Sequence, residues 1–147
     1  MSKQRLGMAS VQAGIQQVMG LQNFVDERVD GTLLHLIQLR ASVLNGCAYC
    51  VDMHSREATA AGEDSRRLFA VAAWQDGPFF DDRERAVLAL TDAVTKLGPD
   101  GVPDEVWEPA TQHFDDQELA DLVLAIAVIN VWNRISITNR TQPPKHV

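Results

Sequence analysis

The chain has 147 residues, 46% of them hydrophobic, with a formal net charge of −7 and an isoelectric point near 4.9. That length suits one domain over residues 1–147 whose core needs no staples, and the acidic balance, with no basic run, excludes a nucleic-acid-binding surface. Residues 1–7 (MSKQRLG) lead into no apolar stretch of signal length. The longest apolar run, 119–132, contains Asp121 and Asn130 and is too short to span a bilayer, so a cytoplasmic protein with no membrane partner is expected.

Residues 8 to about 27 read as a helix through Val11, Ile15, Val18 and Met19, although Gly14 and Gly20 blur its limits. Asp30 caps a second helix, whose apolar face is Leu33, Leu34, Leu36, Ile37, Val43 and Leu44 and which stops at Asn45-Gly46. Cys47 then begins a third helix, closed by Gly62. Asp64 or Ser65 caps a short helix through Leu68, Phe69, Val71, Ala72 and Trp74, stopped by Gly77-Pro78. Asp81-Asp82 starts a strong helix with Ala86, Val87, Leu90, Ala93, Val94 and Leu97 on its apolar face, ended by Gly98-Pro99. Pro103 opens another at a first-turn position, carrying Val106, Trp107 and Ala110. Asp115 or Asp116 caps the last helix, from about 117 to 134 or beyond. No segment alternates with period two, so the fold class is all-α: a single-domain bundle of about seven helices. The last helix is apolar nearly all round (Leu119, Leu122, Val123, Ala125, Ile126, Val128, Ile129, Val131). Such a helix is central in the core or shared with a second copy of the chain.

The chemistry concentrates in residues 33–62. The chain's two cysteines stand there as Cys47-Ala48-Tyr49-Cys50, with His54 four residues on. On a helix, positions 47, 50 and 54 share one face. A helix start presents free N–H groups and a positive dipole end, which favour a thiolate. Thiols in that setting fall from a pKa of about 8.5 into a range of roughly 3.5–7.5. The pair therefore suits reversible disulfide chemistry: one thiolate attacks a peroxide or a disulfide, and the neighbouring cysteine resolves the product. His54 can take the thiol proton or supply one to the leaving oxygen.

Zinc is the competing reading, with Cys47, Cys50, His54 and His35 as ligands. It would make the chain a zinc-stabilised helical protein; a redox-sensing interaction module is the other non-enzymatic reading. Against zinc, His35 stands alone on another helix, without a closely spaced second ligand. His35 forms an i, i+4, i+7 row with Leu39 and Ser42 that can face the cysteine helix, and a histidine among leucines is also a common core residue. Arg40 and Trp74 read as packing or ion-pair residues, and His113 and His146 carry no pattern.

Residues 36–62 (LIQLRASVLNGCAYCVDMHSREATAAG), followed by Ala72-Ala73-Trp74, Phe79-Phe80, Glu84-Arg85-Ala86 and the late NVWNR of 130–134, resemble the alkylhydroperoxidase D-like (AhpD-like) branch of the carboxymuconolactone decarboxylase family. The resemblance runs from about residue 33 to 134. It implies an all-helical fold that assembles as homo-trimers or hexamers, and a thiol peroxidase or disulfide reductase activity. It implies a small peroxide or disulfide substrate and a dithiol reductant, either a protein or a small thiol. It also implies that Cys50 attacks the peroxide, Cys47 resolves and His54 belongs to the proton relay. On this reading the site holds no cofactor and no metal. Two positions depart from the family pattern: His35 stands where the relay usually has a glutamate, and Tyr49 where the mycobacterial type has a histidine.

Overall fold

The computed structural model describes residues 3–145. Its order is α1 (Met8–Arg28), α2 (Gly31–Asn45), α3 (Ala48–Ala60), α4 (Ser65–Ala70) running on into a 3-10 turn (Val71–Ala73), α5 (Asp82–Thr95), α6 (Asp104–Thr111) and α7 (Asp116–Asn139). The fold is all-α: among the described residues the β content is one isolated bridge, Gly98 to Gly101. Four helix starts follow acidic caps. Asp30 accepts from the Leu33 N–H at 3.1 Å, and Asp64 rather than Ser65 caps α4. Asp81 and Asp115 each close a reciprocal capping box, with Glu84 and Glu118.

Four expectations about limits and faces are corrected. α5 ends at Thr95, because Lys96 leaves helical geometry (φ −120, ψ 64); Pro99 then forces Gly98 out of the helical region. Leu97, expected on the apolar face, lies beyond the helix and is 64% exposed. Pro103 is the cap of α6 rather than a first-turn residue. Phe69, expected on a packed face, is 80% exposed, because α4 is a short helix with Leu68 as its buried side chain.

The core lies on both sides of α2. On one side Val25, Leu33, Ile37, Val87, Leu90, Ile126 and Ile129 join α1, α2, α5 and α7. On the other, Leu36, Leu39, Ala58, Leu68, Val71, Trp74, Phe80 and Leu88 join α2 to α3, α4 and α5. Arg40 crosses this second side. Its guanidinium donates to Asp92 through Nε (2.6 Å) and Nη2 (2.9 Å), and through Nη1 to the Val71 and Ala72 carbonyls. Trp74 Nε1 donates to the same carboxylate at 3.1 Å. Both residues are structural, as their sequence context suggests.

α7 divides its apolar surface. Leu119, Leu122, Ala125, Ile126, Val128 and Ile129 are buried, while Leu124, Val131 and Ile137 face outward. At 24 residues it is long and apolar enough to cross a membrane by length and composition, so the length argument made on the 119–132 run does not hold for the helix as formed. Half of its most apolar window is buried against the rest of the fold, which marks it as a core helix.

Polar contacts tie the carboxyl end of α2 to α7. Asn45 Nδ2 donates to Asn130 Oδ1 and Asn133 Oδ1, both at 2.9 Å. Asn133 Nδ2 donates to Ser42 Oγ at 3.0 Å, and Ser42 Oγ donates to the Gln38 carbonyl. Asn133 is fully buried. Its replacement by alanine is expected to lower stability by about 1–3 kcal/mol, since buried partners lose their bonds. Urea unfolding followed by circular dichroism measures this, and an unchanged midpoint would show that the asparagine bonds contribute nothing.

Candidate active site

The turn after α2 is closed by two backbone bonds, Cys47 N–H to the Ser42 carbonyl (3.0 Å) and Gly46 N–H to the Val43 carbonyl (3.1 Å). This is the pattern of a Schellman closure. It places Gly46 at φ 69, ψ 33, a left-handed conformation that glycine adopts without Cβ strain. Cys47 is thereby left as the cap of α3, and its Sγ accepts from the Cys50 N–H at 3.3 Å. The two sulfurs are bonded at 2.14 Å. Both residues are closed off from bulk solvent, at 2% and 1% exposure.

The cysteines differ in what they face. Cys50 lines a cavity of about 730 Å³, and Cys47 does not. α1 contributes Val11, Ile15 and Met19 to the cavity, α2 Leu34 and His35, α3 Tyr49, Met53, His54 and Glu57, and α7 Trp132 and Ile135. Two side-chain tethers hold α1 in place, and a backbone N–H holds the segment just before it. Arg28 Nε pairs with Asp121 Oδ2 at 2.8 Å. Trp132 Nε1 donates to Gln22 Oε1 at 3.0 Å, and Leu6 N–H donates to Asn139 Oδ1 at 2.6 Å.

His54 is buried on the cysteine face of α3, at 5% exposure. Its Nδ1 lies 2.9 Å from Glu57 Oε2. A carboxylate can only accept, so the network assigns the proton to Nδ1. In the neutral imidazole Nε2 is then a bare acceptor. Nε2 is buried and has no hydrogen-bond partner among the described residues. Burial pushes the His54 pKa below its ordinary 6.5 and outweighs the opposing pull of Glu57; His35 lowers it further, and Asp26 acts to raise it. The imidazole is therefore neutral at neutral pH and able to accept a proton.

The structure brings Cys50, His54 and His35 to one cavity, with Cys47 bonded behind Cys50. His35 also borders a second, more polar hollow of about 520 Å³ with Asp30, Glu63 and Arg67, which does not reach the cysteines. No group of three or more His, Cys, Asp or Glu side chains among the described residues is disposed to hold a metal ion while Cys47 and Cys50 are joined as a disulfide. His113 is exposed after α6, and His146 lies outside the described residues. Sequence reasoning missed Glu57. Its i+3 spacing from His54 on a single helix was the available signal.

Residues 9–93 match the carboxymuconolactone decarboxylase family. The chain is 37% identical over 125 residues to the uncharacterized protein YdfG of Bacillus subtilis, across 84% of this chain and 85% of that one. It is similar, with a TM-score of 0.93 and 38% identity, to the crystal structure of a protein of unknown function from Agrobacterium tumefaciens proposed to be the antioxidant defence protein AhpD, over 97% of this chain and 99% of that one. At 21% identity the debrominase Bmp8 shares the fold, with a TM-score of 0.82 over 94% of this chain and 75% of that one. A family match over more than half of the chain, together with the near-complete structural agreement, shows that the protein belongs to the carboxymuconolactone decarboxylase family, in its AhpD-like branch.

Proposed function

We propose that this protein is a thiol-dependent peroxidase and dithiol–disulfide oxidoreductase, with Cys50 as the attacking residue, Cys47 as the resolving residue and His54 and His35 in the proton relay. One observation carries the reading: of the two bonded cysteines, Cys50 alone lines the cavity, beside a histidine whose Nε2 is buried without a partner. In the reduced enzyme neutral His54 takes the Cys50 thiol proton. The thiolate attacks one peroxide oxygen and the O–O bond breaks. Cys50 becomes a sulfenic acid, and the other oxygen leaves as an alcohol, protonated by the imidazolium. The Cys47 thiolate, favoured by the Cys50 N–H at the helix start, attacks the Cys50 sulfur. The S–S bond forms and the sulfenic oxygen leaves as water. An external dithiol, on a protein or a small molecule, then returns the disulfide to two thiols by exchange.

The cavity falls within the usual ligand-pocket range of roughly 300–1,000 Å³, and Val11, Ile15, Met19 and Trp132 give it an apolar wall. A peroxide with an organic body fits that wall. A cycle that must be reset by thiols fits the cytoplasm. The outward apolar side chains of α7, Leu124, Val131 and Ile137, with Phe24 of α1, support a homo-oligomer.

Three outcomes are expected. Reduced Cys47→Ser consumes one equivalent of peroxide and stops at a sulfenic acid, trapped by dimedone and read by mass spectrometry, whereas Cys50→Ser consumes none. The reverse pattern would swap the two roles. His35→Glu keeps peroxidase activity, and His35→Gln lowers it by about ten- to a thousandfold, within the range of general acid–base help. In both variants the acid limb of the pH profile moves to higher pH, because His35 is one cause of the lowered His54 pKa. Wild-type activity and an unmoved profile in the glutamine variant would make His35 a packing residue. Light scattering on a sizing column is expected to give a trimer or hexamer mass, and a monomer at micromolar concentration would rule that out.

A further inference from the structure

Glu57 is a polar residue of the site that the thiol cycle above leaves without a role. Two carboxylates line the cavity, Asp26 on α1 and Glu57 on α3. Asp26 already accepts from Gln22 Nε2 at 2.7 Å. Glu57 instead accepts from His54 Nδ1 at 2.9 Å. The two ends of this contact differ in setting: the His54 side chain is 6% exposed and the Glu57 side chain 53%. The carboxylate thus stays solvated while it fixes a ring that is not.

The consequence for the ring is specific. An imidazole with nothing at Nδ1 is free to carry its single proton on Nε2, where it would face the cavity as a donor and could not accept the Cys50 proton. The bond to Glu57 keeps that proton on Nδ1 and so keeps a lone pair on Nε2. It also restrains rotation of the ring, and with it the direction in which the Nε2 lone pair points. Nε2 is buried and unpartnered while the cysteines are joined as a disulfide. His54 stands one helical turn from Cys50, on the same face of α3.

We propose that Glu57 is the positioning residue of the site: its carboxylate holds the Nδ1–H of His54, which sets the tautomer and orientation that let Nε2 remove the Cys50 thiol proton. This rests on Cys50 being the attacking thiol, as argued above. No new co-reactant is involved. The proton moves from Cys50 Sγ to His54 Nε2, while the Nδ1 proton stays hydrogen-bonded to Glu57, now as an imidazolium–carboxylate pair. The other groups that bear on His54 are Asp26 of α1 and His35 of α2; the α7 residues in the cavity wall, Trp132, Ile135, Ser136 and Asn139, carry no titratable group.

The test uses the full chain with Glu57→Ala and Glu57→Gln. Because Glu57 is half exposed, the alanine variant is expected to fold, and circular dichroism checks it; the glutamine variant keeps an acceptor for Nδ1–H if the alanine protein is unstable. The first readout is the ¹⁵N chemical shifts of His54 at neutral pH, which report the tautomer independently of any peroxide. Wild type is expected as the Nδ1–H form, alanine as predominantly Nε2–H, and glutamine between them. The second is the rate of Cys50 alkylation by iodoacetamide in reduced Cys47→Ser protein as a function of pH. The alanine variant is expected to react about ten- to a hundredfold more slowly at neutral pH, a part of the 10²–10⁴ that a positioned base supplies, and glutamine to recover part of that loss. An unchanged His54 tautomer in the alanine variant, or an unchanged alkylation profile, overturns the proposal. A protein that consumes no peroxide but shows both changes loses the peroxidase reading while the role of Glu57 stands.

Discussion

Ser42, Asn45 and the buried Asn133 form the contact on which the site's geometry depends. The turn that follows α2 has to do two things within two residues: end one helix and begin the next with a sulfur at its cap. The backbone does the first through the left-handed Gly46. The backbone alone, however, leaves the direction of the new helix free. Asn133 and Asn130 of α7 bind the Asn45 side chain, and Asn133 binds Ser42, so the last turn of α2 is anchored to the longest helix in the fold. Thr95 of α5 joins through Asn130. Three helices thereby fix where Cys47 begins α3, and the same α7 supplies Trp132 and Ile135 to the wall that Cys50 faces. Buried amide pairs suit this task because they are directional, and leaving one unpaired in the interior is costly.

The site separates two electrostatic resources that sequence spacing places together. The donor N–H at the start of α3 points at Cys47, and the imidazole and cavity belong to Cys50. A thiolate that attacks a bound substrate needs access and a base, whereas a thiolate that attacks a neighbouring sulfur needs only to be ionised and close. The division follows from helix geometry, since a cap residue meets the amide groups while a first-turn residue meets its i+4 neighbour. His54 is governed by two opposed effects, burial that disfavours its charge and a carboxylate that favours it, and burial is the larger. That order keeps it a base.

The fold itself does not choose the chemistry. At 21% identity it is shared with a debrominase, and what distinguishes one site from another is the set of side chains around the cavity. In this chain the wall is mostly aliphatic on the α1 side, and it holds a histidine, His35, on α2. α1 is fastened to α7 through Arg28–Asp121 and Gln22–Trp132, and the cavity forms where α1, α2 and α7 meet α3, the helix that carries both sulfurs.

Local signals in the sequence determined the all-α class, the cap at Asp30 and, to within one residue, those at Asp64, Asp81 and Asp115, the Gly46 turn and the placing of Cys47, Cys50 and His54 on one helical face, because caps, turns and the 3.6-residue period act over a few residues. The far end of α5 escaped that reading, since Lys96 leaves the helix before the Gly98-Pro99 signal is reached. So did the outward faces of Leu97 and Phe69, because apolar periodicity shows where a side chain points along its own helix and not whether anything packs there. The tertiary structure alone decided that α7 is a buried helix with an exposed apolar edge, that Cys50 rather than Cys47 faces the cavity, and that His54 is desolvated. Each depends on side chains that approach from α1, α2 and α7, distant in the chain. Glu57 lies between the two cases: its spacing from His54 is local, and its role became visible only when burial left Nε2 with no partner and Nδ1 with one.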